Sequence, residues 1–251
     1  MERLVLLDRS EMGSVITLNR PHRANSLIPE LLSQLKTALL TAADDGAPIV
    51  LTANGAAFST GGDIGAFWQH RADLAAYAET VVGQLNDVIL TMLGLPVPIV
   101  TPVHGPVTGG SFGLILASDI VLVAPEASFR PWYGVIGFSP DGGWTALLPD
   151  VIGRQRAAEI LLTDDTITAE QSVDWGLATE LVPAGDLLVV AARFASLTSA
   201  QYFETVRSAK VLLAGYLTVV AARLEAERRQ FVHQVVTAAA AEGMARFVGA
   251  D

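Results

Sequence analysis

Apolar runs bounded by charge open the chain. Residues 3–10 (RLVLLDRS) and 13–20 (GSVITLNR) predict paired strands with a turn at 11–13. The period then lengthens. Leu31, Leu32, Leu35, Leu39 and Leu40 recur at helical spacing in residues 28–44, with Pro29 in the first turn and Ser26 as the cap. Residues 47–54 (APIVLTAN) read as a buried strand running into a glycine-rich loop, GAAFSTGGD. A second helix spans about 74–93. A strand at 96–105, a second glycine-rich turn (GPVTGGS), a helix at 112–118 and a strand at 119–125 follow. Beyond residue 150 the pattern is mostly helical, through 153–163, 168–176 and a long run from 187 to 247. Strands alternating with helices in the first half predict an α/β architecture. There is no repeat, low-complexity tract or linker.

Composition narrows the function classes. The 251 residues suit one large domain or one domain with a short appendage, and 51% hydrophobic residues supply ample core. With 17% charged residues, some surface is expected to be buried between subunits, and the helical tail is a candidate for packing on a neighbour. A net charge of −10 argues against nucleic-acid or membrane-surface partners. The absence of Cys excludes disulfides, thiolate metal sites and a cysteine nucleophile. His22, His70, His104 and His233 are scattered without ligand spacing, so no metal is expected. The first residues lack a signal-peptide pattern. The longest apolar stretch, 211–222, falls short of the roughly 20 residues that span a bilayer. The expectation is a cytoplasmic protein.

Two glycine-rich turns follow two buried strands: FSTGGD (58–63) and VTGGSFG (107–113). Neither is GxGxxG or a phosphate-binding loop with Lys before Ser or Thr. Glycine lets backbone N–H groups approach a ligand, and the second turn opens into a helix. Side by side, two such turns could hold an oxygen between two N–H donors, or they are simply tight strand–helix turns. A third stretch, GFSPDGGWT (137–145), places Asp141 among glycine, proline and tryptophan. On its own segment Asp141 is either a turn-former or a partly desolvated acid/base.

Five segments in order resemble the crotonase (enoyl-CoA hydratase/isomerase) superfamily: ITLNRPHRANSL, AAFSTGGDI, VHGPVTGGSFGLILASD, the run 127–163 and SVDWGLATELVP. The resemblance covers about 15–183 and extends loosely to the C-terminus. It implies an α/β fold with a crotonase-like β-β-α spiral core, 1–190, and a helical C-terminal region, 191–251, that serves packing and oligomerisation. It also implies assembly as a homotrimer or a dimer of trimers. The implied substrate is a small-molecule acyl-CoA thioester, with CoA as part of the substrate and no separate cofactor. Its carbonyl oxygen would lie between the N–H groups of Gly62 and Gly110. Arg20, His22 and Arg23 are candidates for the CoA phosphates, and Ala24, Gly61 and Ile64 for further substrate contacts. Trp132, Tyr133 and Trp144 would shape the acyl pocket, and the helix at 74–93 and the C-terminal helices would line its tail end. Asp63 and Asp119 are read as structural caps and His104 as a structural residue.

The chain also departs from the family pattern. Hydratases of this family carry two glutamates that handle water; the matching positions here are Gly113 and Tyr133. Ordinary hydration is therefore not expected. Isomerases and a dehalogenase of the superfamily carry an acid at the position of Asp141. The dehalogenase also needs a histidine near Leu90, and none is there. These residues point to an isomerase that shifts the double bond of an unsaturated acyl-CoA through an enolate, with Asp141 as acid/base. The alternatives are an acyl-CoA hydrolase, a dehalogenase-like enzyme, or a non-catalytic acyl-CoA-binding protein.

Overall fold

In strand β3 (Ile49–Ala53), Ile49 and Leu51 belong to one buried apolar cluster and Val50 to another. Both faces of the sheet are thus covered, as a mostly parallel sheet requires. The computed structural model describes residues 2–10 and 13–250, so residues 11 and 12 of the expected first turn lie outside the described residues. The expected strand pair is present as β1 (Val5–Ser10) and β2 (Gly13–Leu18), antiparallel with Val5 opposite Leu18. β2, β3, β4 (Ile99–Val103), β6 (Ile120–Val123) and β9 (Glu180–Leu181) continue the sheet in parallel, in the order β1-β2-β3-β4-β6-β9.

A second, smaller sheet is built from β5 (Pro106–Thr108), β7 (Ser128–Arg130) and β8 (Ile167–Thr168). These strands of two or three residues are too short to leave a period in the sequence, which reads as turn around Pro106. A parallel bridge between Ser59 and Val107 brings the segment after β3 alongside them. After each of β3, β4 and β6 the chain thus turns into this second layer. It then enters a short helix: Ile64–Gln69, Phe112–Leu116 or Tyr133–Ile136.

Longer helices seal the two faces. Helix Pro29–Ala43 buries Leu31, Leu32, Leu35 and Leu39. Leu40, expected on that stripe, is half-exposed, because at about 100° per residue it lies about 140° round the helix from Leu35, the middle of the buried face. Helix Leu74–Gly94 lies beside it, and helix Leu187–Ser199 covers the opposite face through Leu187, Ala191 and Ala195. The boundary anticipated at 190/191 falls inside that helix.

The helical run from 187 to 247 is four helices: Leu187–Ser199, Phe203–Ala214, Leu217–Val235 and Ala238–Val248. Gly215 (φ +63°) breaks it once, and Thr237 restarts it by capping the Ala240 N–H. Helix Leu217–Val235 lies along Leu74–Gly94, where Asn86 Nδ2 donates to the Leu224 carbonyl at 3.1 Å. Asp119 caps no helix. Its Oδ2 accepts from Ile99 N at 2.7 Å and from buried Lys210 Nζ at 2.6 Å, pinning Phe203–Ala214 to the start of β4. Among the described residues no single helix is long and apolar enough to cross a membrane. The bent pair Phe203–Ala214 and Leu217–Val235 passes on length and composition, but buries Lys210 and Glu227 against the core.

Candidate active site

The two glycine-rich loops lie against each other. Leu27 N donates to Gly61 O at 2.7 Å and Asp63 N to Leu27 O at 3.1 Å, a bridge that leaves the N–H of Gly62 out of its pairing. Thr108 N reaches Ser59 O at 3.1 Å, and the Ser111 hydroxyl donates to the same carbonyl at 2.9 Å. A methyl group at Gly61 (φ +75°) would come within 2.6 Å of Thr108 O, so only glycine lets the loops close up here. Gly110 sits in the 3-10 turn Gly109–Ser111 that leads into helix Phe112–Leu116. Gly62 and Gly110 border one cavity of about 820 Å³, a size typical of small-molecule sites.

A buried ion cluster sets the first loop. Asp63 caps helix Ile64–Gln69 through Ala66 N at 3.1 Å, as expected of a structural cap. Its carboxylate also receives Arg20 Nη1 at 2.7 Å and Arg23 Nη2 at 3.0 Å. Burial pushes the Asp63 carboxyl up, but the hydrogen bonds from Arg20, Arg23 and Ala66 outweigh it and hold the pKa below the ordinary value. Arg20 further donates to the Ser26 carbonyl at 3.1 Å and hydroxyl at 2.7 Å. Ser26 is therefore part of this cluster and not the expected cap; Ile28 occupies that position, without a side-chain bond.

Asp141 is carried over Gly110 by a turn rich in left-handed glycines. A side chain at Gly142 (φ +65°) would collide with the Gly110 carbonyl, so glycine is what allows this turn to rest on that loop. The Asp141 carboxylate stands 2.8–2.9 Å from where a β-carbon on Gly110 would be. The Tyr133 hydroxyl donates to Asp141 Oδ1 at 2.6 Å and to its carbonyl at 3.0 Å. No other described residue donates a hydrogen bond to Asp141 Oδ2. Burial pushes the Asp141 carboxyl up to about 7; the Tyr133 hydrogen bond opposes this and the charge of Glu227 adds to it. Burial and the Asp141 charge likewise hold the Tyr133 phenol well above its ordinary value.

The two departures from the family pattern differ in kind. A side chain at Gly113 would run into Ile89 and come within 2.6 Å of the Gly142 carbonyl, so that position has no room for a glutamate. At the other, Tyr133 spends its hydroxyl on Asp141.

Gly62, Gly110, Asp141, Tyr133, Trp132, Ile64, Ala24, His22 and Arg23 all border the cavity, so the structure brings most of the expected site residues together. Three do not border it. Arg20 is turned inward onto Asp63 and Ser26. Gly61 is covered by the neighbouring loop. Trp144 is fully buried and donates Nε1 to Gly109 O at 2.8 Å, bracing the second loop from behind. His104 holds the Gly55 carbonyl at 3.0 Å, a structural contact.

The C-terminal helices line the cavity as expected, through Phe231 and Phe247, whereas no residue of helix Leu74–Gly94 borders it. Sequence reasoning named neither aromatic, and it missed Arg130, which pairs with Asp164 and stacks on Trp132. It also missed Glu227. This buried carboxylate accepts from Gly143 N, Thr145 N, Thr145 Oγ1 and Ala146 N at 2.7–2.9 Å. Phe231 and Glu227 share the buried face of an amphipathic helix, but no spacing in the sequence says which loop that face meets.

Comparison with known proteins gives a consistent picture. The family model described as enoyl-CoA hydratase/isomerase matches residues 10–250. A Rhodobacter capsulatus protein named "Probable enoyl-CoA hydratase" is 35% identical over 178 residues, covering 70% of this chain and 68% of its own. The 1,2-epoxyphenylacetyl-CoA isomerase of Escherichia coli is 33% identical over 184 residues, 70% of this chain and 69% of its own. The crystal structure of an enoyl-CoA hydratase/isomerase from Mycobacterium paratuberculosis superposes with a TM-score of 0.88 at 27% identity, covering 98% of this chain and 99% of that one.

Proposed function

We propose that this chain, which belongs to the enoyl-CoA hydratase/isomerase family and has its crotonase fold, shifts the double bond of an unsaturated acyl-CoA with Asp141 as the acid/base. The observation that carries this reading is a single one. One carboxylate, with one oxygen free and its pKa near 7, borders the same cavity as Gly62 and Gly110. A base tuned to the working pH is what proton transfer from carbon needs.

The step balances with this chain's own groups. Asp141 Oδ2 removes a proton from the carbon beside the thioester carbonyl. The C–H electron pair moves into a dienolate whose charge collects on the thioester oxygen, between the N–H groups of Gly62 and Gly110. Two such donors are worth about 10²–10³ in rate each. Neutral Asp141 then returns the proton two carbons along, and the electron pair settles as the new double bond. No electrons enter or leave, so the reaction calls for no cofactor beyond the CoA of the substrate. Phe138 and Phe231 in the cavity wall support the reading by keeping water from the carbanion.

Conjugate addition of water is disfavoured by Gly113 and Tyr133, although the R. capsulatus relative is named as a hydratase. We place the activity in the cytoplasm, and the assembly as a homotrimer or dimer of trimers. The exposed side chains of Tyr202, Leu212, Leu213 and Tyr216, all within residues 202–216, support burial against another copy. Light scattering reads that mass directly.

The test is incubation of wild type and Asp141→Asn with straight-chain and ring-bearing 3-enoyl-CoA thioesters in deuterated water. Double-bond migration or deuterium uptake by wild type, lost in Asp141→Asn while CoA thioester binding persists, is the expected result. Equal turnover by both proteins would remove Asp141 from the mechanism.

A further inference from the structure

We propose that Glu227 is a positioning residue for Asp141: from the C-terminal helix it clamps the turn that carries the acid onto the Gly110 loop. This rests on the reading of Asp141 as the proton-transfer group. The clamp has two jaws on one face of helix Leu217–Val235. Glu227 collects four donors from residues 143–146, directly after Asp141. Seven residues on, two helical turns away, Gln234 Nε2 donates to the carbonyls of Gly137 at 3.2 Å and Phe138 at 3.1 Å, directly before it. Between them Phe231 meets Phe138 edge to face, with ring centroids 5.1 Å apart, and borders the cavity. Asp141 therefore sits in a loop whose two ends hang from one rigid helix.

The chemistry of the jaw requires a carboxylate. Four N–H and O–H donors converge on Glu227, and among the described residues no cation pairs with it. A glutamine offers one acceptor atom and would turn its amide N–H toward the Gly143 N–H. A buried carboxylate without a cation is a costly group to keep in a core. Its second effect gives it a reason to be there. The ionisable groups facing Asp141 are Tyr133 and Glu227, and the Glu227 charge disfavours ionisation of Asp141. Arg223 lies further along the helix, on the Ala146 carbonyl and Asp150, and Arg228 pairs with Glu225 and Glu79. Glu227 thus fixes both the place of the acid and its readiness to hold a proton.

The experiment compares wild type with Glu227→Gln, Arg223→Ala and Asp141→Asn. The readouts are isomerisation kcat and KM, acetyl-CoA affinity by calorimetry, and the titration of Asp141 by carbon-13 NMR of labelled aspartates, assigned through Asp141→Asn. Glu227→Gln is expected to lose about 10- to 100-fold in kcat. Acetyl-CoA affinity should stay within about twofold, and the Asp141 midpoint should move down by roughly one pH unit. Arg223→Ala, which removes another tie from the same helix to the same turn, is expected to lower the melting temperature and leave the Asp141 midpoint in place. A Glu227→Gln enzyme with wild-type kcat and an unmoved midpoint overturns the proposal. Should that variant not fold, Thr145→Val removes one of the four donors: a roughly threefold lower kcat at unchanged affinity supports the clamp, and an unchanged kcat overturns it. If Asp141→Asn turns over as wild type does, the isomerase reading falls, and the NMR midpoint still decides whether Glu227 governs Asp141.

Discussion

The Tyr133 hydroxyl donates to Asp141 Oδ1 at 2.6 Å and leaves Oδ2 to the cavity above Gly110. A donor on one oxygen favours the ionised carboxylate, so it offsets part of the push from burial. Tyr133→Phe removes that donor. The Asp141 pKa is expected to rise above about 7, and the acid limb of kcat/KM to move up with it. For a rise of about one pH unit, the base fraction at pH 7 drops from about one half to about one eleventh, so kcat/KM there should fall roughly fivefold, and at pH 9 most of it should return. A loss that is equal at both pH values would mean that Tyr133 contacts substrate instead of tuning the acid.

Asp141 should also weaken the protein it serves. Its folded pKa of about 7 lies above the ordinary 3.8. Between those values the native state keeps a proton that the unfolded chain has released. Stability therefore falls as pH rises from about 4 to about 7, and above 7 the contribution is gone. Asn does not titrate, so the gain from Asp141→Asn should grow with pH. Thermal unfolding is expected to show the variant about 4 kcal/mol more stable than wild type at pH 8, with a smaller gap at pH 5.5. A gap independent of pH would mean that Asp141 is ionised throughout, and that the tuned-base reading is wrong.

How much of this was legible in the sequence divides along physical lines. The strand pair, the helices at 29–43 and 74–94 and the two glycine loops were readable, because period and backbone chemistry are local properties. β5, β7 and β8, of two or three residues each, carry no period, so the second sheet was invisible as pattern. Asp141 could be singled out because a family pattern gives its position a meaning. Trp144 sat beside it in sequence and was assigned to the acyl pocket, but φ +65° and +91° at Gly142 and Gly143 turn the chain and send the indole behind the Gly109 carbonyl. The C-terminal helices were expected to pack on a neighbour and to line the acyl-tail pocket, with no orientation assigned. Glu227, Phe231 and Gln234 reach back about 90 residues to the turn at 137–146, a contact no local window contains.

Restoring the family glutamate should fail. Gly113 faces Ile89 and the Gly142 carbonyl, so Gly113→Glu puts an acid into filled space and presses on the turn that carries Asp141. Overpacking of this kind costs typically 1–3 kcal/mol. The expected outcome is a lower melting temperature, reduced isomerisation and no crotonyl-CoA hydration above background. Hydration should stay absent in Gly113→Glu with Ile89→Ala as well, because Tyr133 still stands at the second position. Robust hydration by the single variant would show that the loop yields, and that the missing acid alone separates this chain from hydratases.

Arg20 and Arg23 were equal candidates for the CoA phosphates, and their surroundings now separate them. Arg20 is largely buried and gives one nitrogen to Asp63 Oδ2 at 2.7 Å, the Ser26 hydroxyl at 2.7 Å and the Ser26 carbonyl at 3.1 Å. Arg23 holds Asp63 Oδ1 at 3.0 Å with its side chain 49% exposed at the cavity rim. Removing Arg20 takes the buried partner from Asp63 Oδ2 and leaves only the half-exposed Arg23 as a cation, so Arg20→Ala is expected to cost about 3 kcal/mol of stability, in the range for breaking a buried pair. Removing Arg23 breaks a half-exposed pair and should cost under about 1 kcal/mol. Its half-exposed guanidinium holds Asp63 through one nitrogen and leaves its other donors for a phosphate, so Arg23→Ala should weaken CoA binding several-fold. The deficit should be largest at low salt, where an exposed charge acts furthest. Calorimetric titration with free CoA at two ionic strengths, beside thermal unfolding, reads both effects. If Arg20→Ala folds as well as wild type but loses CoA, and Arg23→Ala does neither, then Arg20 leaves Asp63 when ligand binds and the two roles are reversed.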